Sequence, residues 1–296
     1  MIPLKDNLPT DRFPIVTVVL IAINIAVFAW QLGFSNPELE ERTSLDNYTQ
    51  SAVEYGAIPY RITHPDKADE DCAVGAVEAD GRLQESVVCP GTGDYDEAVA
   101  LGERSRAEGA TAGSASDLTP IPVEQAPWWQ TLFASMFMHG GWFHIIFNML
   151  FLWVFGNNIE DSMGKLKFLL FYLAAGLAAV YSQAGLDPDS TIPTIGASGA
   201  VAGVLGAYAL LHPQARVLTL IFIVFFVTLV EVPAAILLAI WFVLQFVPAI
   251  GQVATPDVGG GGVAYFAHVG GFIFGLLTVK LLARRRPDSE PSLPAY

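Results

Sequence analysis

Apolar residues in this chain are gathered into uninterrupted runs of about 20, the length a helix needs to cross a bilayer. They are not spread at a period of 2 or 3.6, as they would be in strands or surface helices with one wet face. Hydrophobic residues make up 53% of the chain and its mean hydropathy is +0.46. Such clumping predicts an all-α membrane protein with several spans.

The runs fall at Ile15–Phe34, Trp142–Ile159, Leu166–Ala184, Ile195–Leu211 and Val263–Leu282. A further apolar stretch, Val217 to Ile250, is broken by Glu231-Val232-Pro233. Its first piece, Val217–Val230, is short for a span and is expected to be interfacial or re-entrant, whereas Ala234–Ile250 is long enough to cross. The first run follows Lys5 and Arg12 and lacks a small-residue cleavage site, so it is expected to stay as a span.

Charge sets the orientation. Lys5 and Arg12 precede the first span, and Lys280, Arg284, Arg285 and Arg286 end the last. Basic flanks remain cytoplasmic, so both termini face inside and the number of spans is even. With six, the turns carrying Lys165, Lys167 and Arg216 also lie inside, and the turns Leu186–Pro193 and Gln252–Gly262, without Lys or Arg, lie outside. A seventh span at Val217–Val230 would violate that pattern.

The formal net charge of −14 is concentrated in one place. Residues Gln31–Gln130 hold 19 acidic against 6 basic side chains, and the remainder is nearly balanced, at 10 against 9. The predicted organisation is therefore an N-terminus with the first helix (1–34), an acidic extracytoplasmic insert (35–130), a core of helices 2–6 (131–283) and a cytoplasmic tail (284–296). Within the insert Tyr55–Ile62 reads as structured and Ala107–Ala126 as a linker. Cys72 and Cys89 both fall there; an oxidising compartment would let them pair, but spacing alone leaves free thiols open. The expected location is the plasma or inner membrane, with the bilayer as partner and no nucleic acid, cofactor or metal.

Two reactive groups sit in runs that otherwise belong to lipid. Ser198 lies in Gly196-Ala197-Ser198-Gly199 at the head of span 4, and His268 in Ala267-His268-Val269-Gly270-Gly271 near the head of span 6. A polar or ionisable group at bilayer depth is costly and reads as functional when its partner can be named. A hydroxyl needs a base, and imidazole is the usual one. At about 1.5 Å per residue, Ser198 is expected roughly 5 Å and His268 roughly 8 Å below the outer ends of their runs. His144 and Asn148, four apart on one face of span 2, reach a similar level. Gly199, Gly203 and Gly206 on span 4 and Gly271 and Gly275 on span 6 let the two helices approach. His268 would accept the Ser198 proton. His144, Asn148 and the Ser198 amide would donate to an oxyanion. Spans 4 and 6 contain no Asp or Glu, so a dyad is expected.

Three segments together, Gly196–Gly199, His139–Met149 and Ala267–Gly271, resemble the rhomboid family of intramembrane serine proteases. The likeness covers the first span, Tyr55–Ile62, and nearly all of Thr131–Leu282. It implies a six-transmembrane-helix bundle, a Ser198–His268 dyad, an oxyanion site with His144 and Asn148, and single-span membrane proteins as substrates. It gives His139 a structural role in the loop entering span 2. Two positions depart from the pattern: Trp128-Trp129-Gln130 lacks the arginine many members carry, and Ala202 stands where some members have a tyrosine stacked on the histidine.

Other chemistries fit less well. An α/β-hydrolase elbow needs Gly-x-Ser-x-Gly, and position 200 is Ala. A zinc protease would want His-Glu-x-x-His, which is absent. The alternative from another class is a rhomboid-like pseudoprotease that binds or escorts membrane proteins. The loop residues Asp187, Asp189 and Ser190 are expected to rim a water entrance above Ser198.

Overall fold

The computed structural model describes residues 1–79, 81–112, 114, 116–223, 226–254 and 263–283. Residues 255–262, within the predicted outer turn, and the predicted tail 284–296 with Arg284–Arg286 lie outside the described residues. From the N-terminus, strand β1 (Ile2–Asp6) leads into helix α1 (Ile15–Leu32). The insert then contributes α2 (Pro37–Arg42), α3 (Asn47–Tyr55), α4 (Pro59–Thr63), β2 (Ala73–Ala79), β3 (Arg82–Val88), α5 (Gly93–Ala107) and β4 (Ile121–Pro122). Helices α6 (Trp128–Ala134), α7 (Trp142–Met163), α8 (Lys165–Leu186) and α9 (Ser198–Leu211) follow. The chain closes with the hairpin β5 (Arg216–Ile223) and β6 (Phe226–Pro233), then α10 (Ala234–Ala254) and α11 (Tyr265–Leu282).

Five of these helices, α1, α7, α8, α10 and α11, are long and apolar enough to cross a membrane. The protein is a multi-pass membrane protein, mostly helical. At 14 residues α9 is shorter, about 21 Å against a hydrocarbon core of about 30 Å. It is apolar on every side, and every residue from Gly199 to Tyr208 is buried, which makes it the centre of the bundle.

Small residues are what admit α9 to that position. On one flank Gly199 faces Ala179 and Gly203 faces Ala175, both of α8. On the other, backbone meets backbone. A Cβ at Gly271 would run into the Gly199 carbonyl, one at Gly275 into the Gly203 carbonyl, and one at Gly206 into the Phe272 carbonyl. The glycines that the sequence placed on facing sides of spans 4 and 6 do interlock.

The start of α1 is held by a carboxylate from α7. Glu160 accepts hydrogen bonds from the Val16 amide at 3.0 Å, the Thr17 amide at 2.8 Å and the Thr17 hydroxyl at 2.9 Å. These amides belong to the first turn of α1 and have no acceptor within it, and a negative charge there also complements the helix dipole.

The expectation of an all-α chain is corrected in two places. Residues 217–223 and 226–230, expected as an interfacial or re-entrant segment, are extended and lie in the antiparallel β5–β6 hairpin, with Val217 opposite Val232 and Leu220 opposite Leu229. β-Branched and aromatic residues favour extended backbone in a run too short to span. The N-terminal strand supplies the missing partner, with Ile2 opposite Leu220 and Asp6 opposite Val217, giving the order β1-β5-β6. Asp6 is tied into the bundle by the Asn158 amide and the Tyr208 hydroxyl, each 2.6 Å from Oδ2.

The insert is the second correction. It contains a sheet of order β3-β2-β4, with α5 laid on it so that Ala98 packs against Gly75. The segment predicted as a linker, Ala107–Ala126, supplies β4, which extends the sheet by pairing Val74 with Ile121. It also supplies Asp117, gripped by Arg106 through Nε at 3.2 Å and Nη2 at 3.0 Å. Cys72 and Cys89 are disulfide-bonded at the base of the β2–β3 hairpin and buried with Ile58 and Tyr60.

The insert grips the loop that follows α8. Ala57 and Thr194 exchange both backbone hydrogen bonds, at 3.1 and 2.8 Å. The Tyr60 amide donates to the Ser190 carbonyl at 3.0 Å and the Thr63 hydroxyl to the Pro188 carbonyl at 2.7 Å. His64 lies 3.6 Å from the exposed Asp189 carboxylate. Burial, and then Asp189 beside it, raise Asp187 above its ordinary value.

Overpacking a close backbone crossing costs about 1–3 kcal/mol. Gly275→Ala is therefore expected to lower the thermal unfolding midpoint in detergent. Gly185→Ala, where a Cβ meets nothing within 4 Å, is expected to leave it within a degree or so of the parent.

Candidate active site

Ser198 owes its place to the loop before it. Thr194 is fixed by Ala57, and two residues later the Gly196 amide donates to the Ser135 carbonyl at 2.8 Å. Gly196 has φ +124°, a conformation that side chains with a Cβ rarely adopt. The chain then turns into α9, with Ser198 as its first residue. Ile195–Ala197 is thus outside the helix, and Ser198 stands at its tip rather than a turn inside, correcting the predicted start of span 4. The glycine and the strand-like bridge at Thr194 override the apolar run.

His268 lies in the first turns of α11, whose glycine contacts with α9 set the distance between the two side chains. Its Nε2 is 2.8 Å from Ser198 Oγ. Its Nδ1 is 2.7 Å from Oε1 of Gln245, which comes from α10. Trp241, four residues before Gln245, leans on the same imidazole with ring centroids 6.1 Å apart and planes tilted by 42°.

From the opposite side comes the start of α7. The Gly140 amide donates to His144 Nδ1 at 3.2 Å, which leaves the ring proton on Nε2. That nitrogen faces Gly196. A Cβ at Gly196 would lie 2.7 Å from His144 Nε2 and 3.4 Å from Ser198 Oγ. The missing side chain at Gly196 is therefore what opens the space between the two groups. Asn148 is buried one turn further along and donates from Nδ2 to the His144 carbonyl at 2.8 Å. It is linked to the turn that carries His144, not to Ser198 or His268 directly.

His139 is enclosed. Its backbone amide donates to Gln31 Oε1 at 2.8 Å, and its ring stands edge-on to Phe28 and His144. Burial, with a smaller contribution from His144, pushes its imidazole down to about 3, so it stays neutral. A cavity of about 20 Å3 adjoins the serine, lined in part by Met136, Gly196, Ser198, Ala264 and Ala267. That is room for a water molecule.

Ser198, His268 and His144 are thus gathered by three helices, with Asn148 behind His144. Gln245 was missed by the sequence reading, although it is the one polar side chain between Ala234 and Ile250. The signal was the same that singled out Ser198 and His268: a polar group in a run meant for lipid needs a partner.

Comparison with known proteins finds a family and several relatives. The family model described as Rhomboid domain matches residues 125–285, more than half of the chain. The chain is similar to "Rhomboid protease GluP" of Bacillus subtilis (strain 168), with 40% identity over 85 residues, 29% of this chain and 16% of that protein. "Rhomboid protein 1, mitochondrial" of Saccharomyces cerevisiae is 28% identical over 155 residues, 50% of this chain and 40% of that protein. "Putative rhomboid protease YdcA" of Bacillus subtilis (strain 168) is 31% identical over 88 residues, 30% of this chain and 43% of that protein. The chain spans less than half the length of each of these three relatives.

Gly196→Ala would place a methyl group between His144 and Ser198 and strain the turn by about 1–3 kcal/mol. It is expected to slow fluorophosphonate labelling of Ser198 at least about tenfold. Gly140→Ala, where a Cβ meets only ordinary contacts, is expected to label like the parent.

Proposed function

The chain belongs to the rhomboid family, and on that premise we propose that it is an intramembrane serine endopeptidase acting through Ser198 and His268. One observation carries the reading: the 2.8 Å contact between Ser198 Oγ and His268 Nε2, made across two helices inside a membrane bundle. A hydroxyl at that distance from an imidazole nitrogen is within reach of general-base activation.

In the proposed reaction Ser198 Oγ attacks the carbonyl carbon of a peptide bond while His268 Nε2 takes the hydroxyl proton. The carbonyl oxygen becomes an oxyanion. His144 Nε2–H, an Asn148 amide proton and the Ser198 backbone N–H are the donors assigned to it. The last of these lies at a helix N-terminus, where first-turn amides have no acceptor within the helix. Collapse breaks the C–N bond, and the leaving amine takes the proton from His268. Water then attacks the acyl ester with His268 again as base, releasing the acid and restoring the Ser198 hydroxyl.

The proposed topology has six spans and both termini in the cytoplasm. The short α9 is the sixth crossing, completed by the irregular segment before it. Ser198 then sits beneath the outer surface at the foot of a loop that water can follow. In this orientation the acidic insert and its bonded cysteines face an oxidising exterior, and the β1-β5-β6 sheet faces the cytoplasm. The substrates proposed are single-span membrane proteins, cut where their helix is weak near the outer face of a plasma or inner membrane.

The test is cleavage of a single-span model substrate in proteoliposomes. The wild-type chain is expected to cut it, and Ser198→Ala and His268→Ala are each expected to lose at least about 1000-fold in kcat/KM. A folded wild-type chain that binds the substrate but neither cuts it nor takes a fluorophosphonate label would replace the protease reading with the escort one.

A further inference from the structure

Resting on the protease reading, we infer that Gln245 is a positioning residue that holds His268 in the tautomer and orientation a base requires. A neutral imidazole carries one N–H and one lone pair. To take a proton from Ser198, the lone pair must be on Nε2, and so the N–H must be on Nδ1. Gln245 Oε1, 2.7 Å from Nδ1, is an acceptor for that N–H. With the opposite tautomer, Nε2–H would point at the Ser198 hydroxyl and could not receive its proton.

In a serine-histidine-aspartate triad a carboxylate performs this task. Helices α9, α10 and α11 contain no Asp or Glu at all. A carboxylate among them would carry the cost of a buried charge whenever the imidazole is neutral. An amide oxygen orients the ring without that cost, and its dipole still favours the imidazolium that forms when the proton moves.

The second half of the task is mechanical. Ala202, one turn beyond Ser198, is a buried methyl group and offers the imidazole no ring to lie against. Restraint comes instead from α10, where Trp241 and Gln245, four residues apart on one face, meet the same histidine. The nucleophile, the base and its orienting group therefore come from three different helices, α9, α11 and α10.

The experiment uses the full chain in proteoliposomes with the single-span model substrate. Gln245→Leu and Gln245→Met keep the bulk and remove the acceptor; Gln245→Glu keeps the acceptor. The two apolar variants are expected to lower kcat about 10- to 100-fold, with KM within twofold and unfolding midpoints at or above the parent's. Gln245→Glu is expected to restore kcat to within a few-fold of wild type. Equal activity of Gln245→Leu or Gln245→Met and wild type would overturn the inference. So would a Glu variant as impaired as the apolar ones, since an acceptor at position 245 would then not be what supports His268. Ser198→Ala separates the two levels: Ser198-dependent cleavage that ignores Gln245 sinks only the positioning role, whereas absence of Ser198-dependent cleavage in the wild type sinks the protease reading and this inference with it.

Discussion

The backbones of α9 and α11 touch at glycines, and the distance between Ser198 and His268 follows from that contact. Gly271 rests on the Gly199 carbonyl and Gly275 on that of Gly203, while Gly206 leaves room for the carbonyl of Phe272. In lipid no hydrophobic force pushes helices together, so close van der Waals fit must supply the association. Here the fit is also the ruler. Ser198, next to Gly199, and His268, about one turn before Gly271, are carried to within hydrogen-bond reach, and neither side chain has to stretch across a gap.

What reaches Ser198 from the other side is governed by a loop rather than a helix. The insert fixes that loop by main-chain hydrogen bonds at Thr194 and Ser190, and Gly196 completes the turn in a conformation closed to most residues. The segment between α1 and α6 thereby helps to set where α9 begins. The hydrogen bonds come from Ala57 and from Tyr60 and Thr63 of α4.

His268 is supported in an economical way. His268 is bonded at both ring nitrogens, by a hydroxyl on α9 and an amide on α10. His144 is likewise committed at Nδ1, to Gly140. Each imidazole thus has one nitrogen assigned by its surroundings and the other turned toward Ser198 or the space beside it. Neutral partners suit a low-dielectric setting, where a lone carboxylate would be hard to keep ionised.

Much of this was legible in the chain because lipid imposes strict rules. Runs of membrane length marked the helices, and out-of-place polar residues marked Ser198, His268, His144 and Asn148. Facing glycines announced the α9–α11 crossing. Gln245 carried the same signal, but its relevance depended on which neighbour it met, and helix rotation is not written in an apolar run. Three things were decided only by tertiary structure: the N-terminal strand β1 pairing with β5, the sheet inside the insert, and the late start of α9 at Ser198. Each depends on hydrogen bonds between segments far apart in sequence, and local composition constrains which residues can pair without determining which of them do.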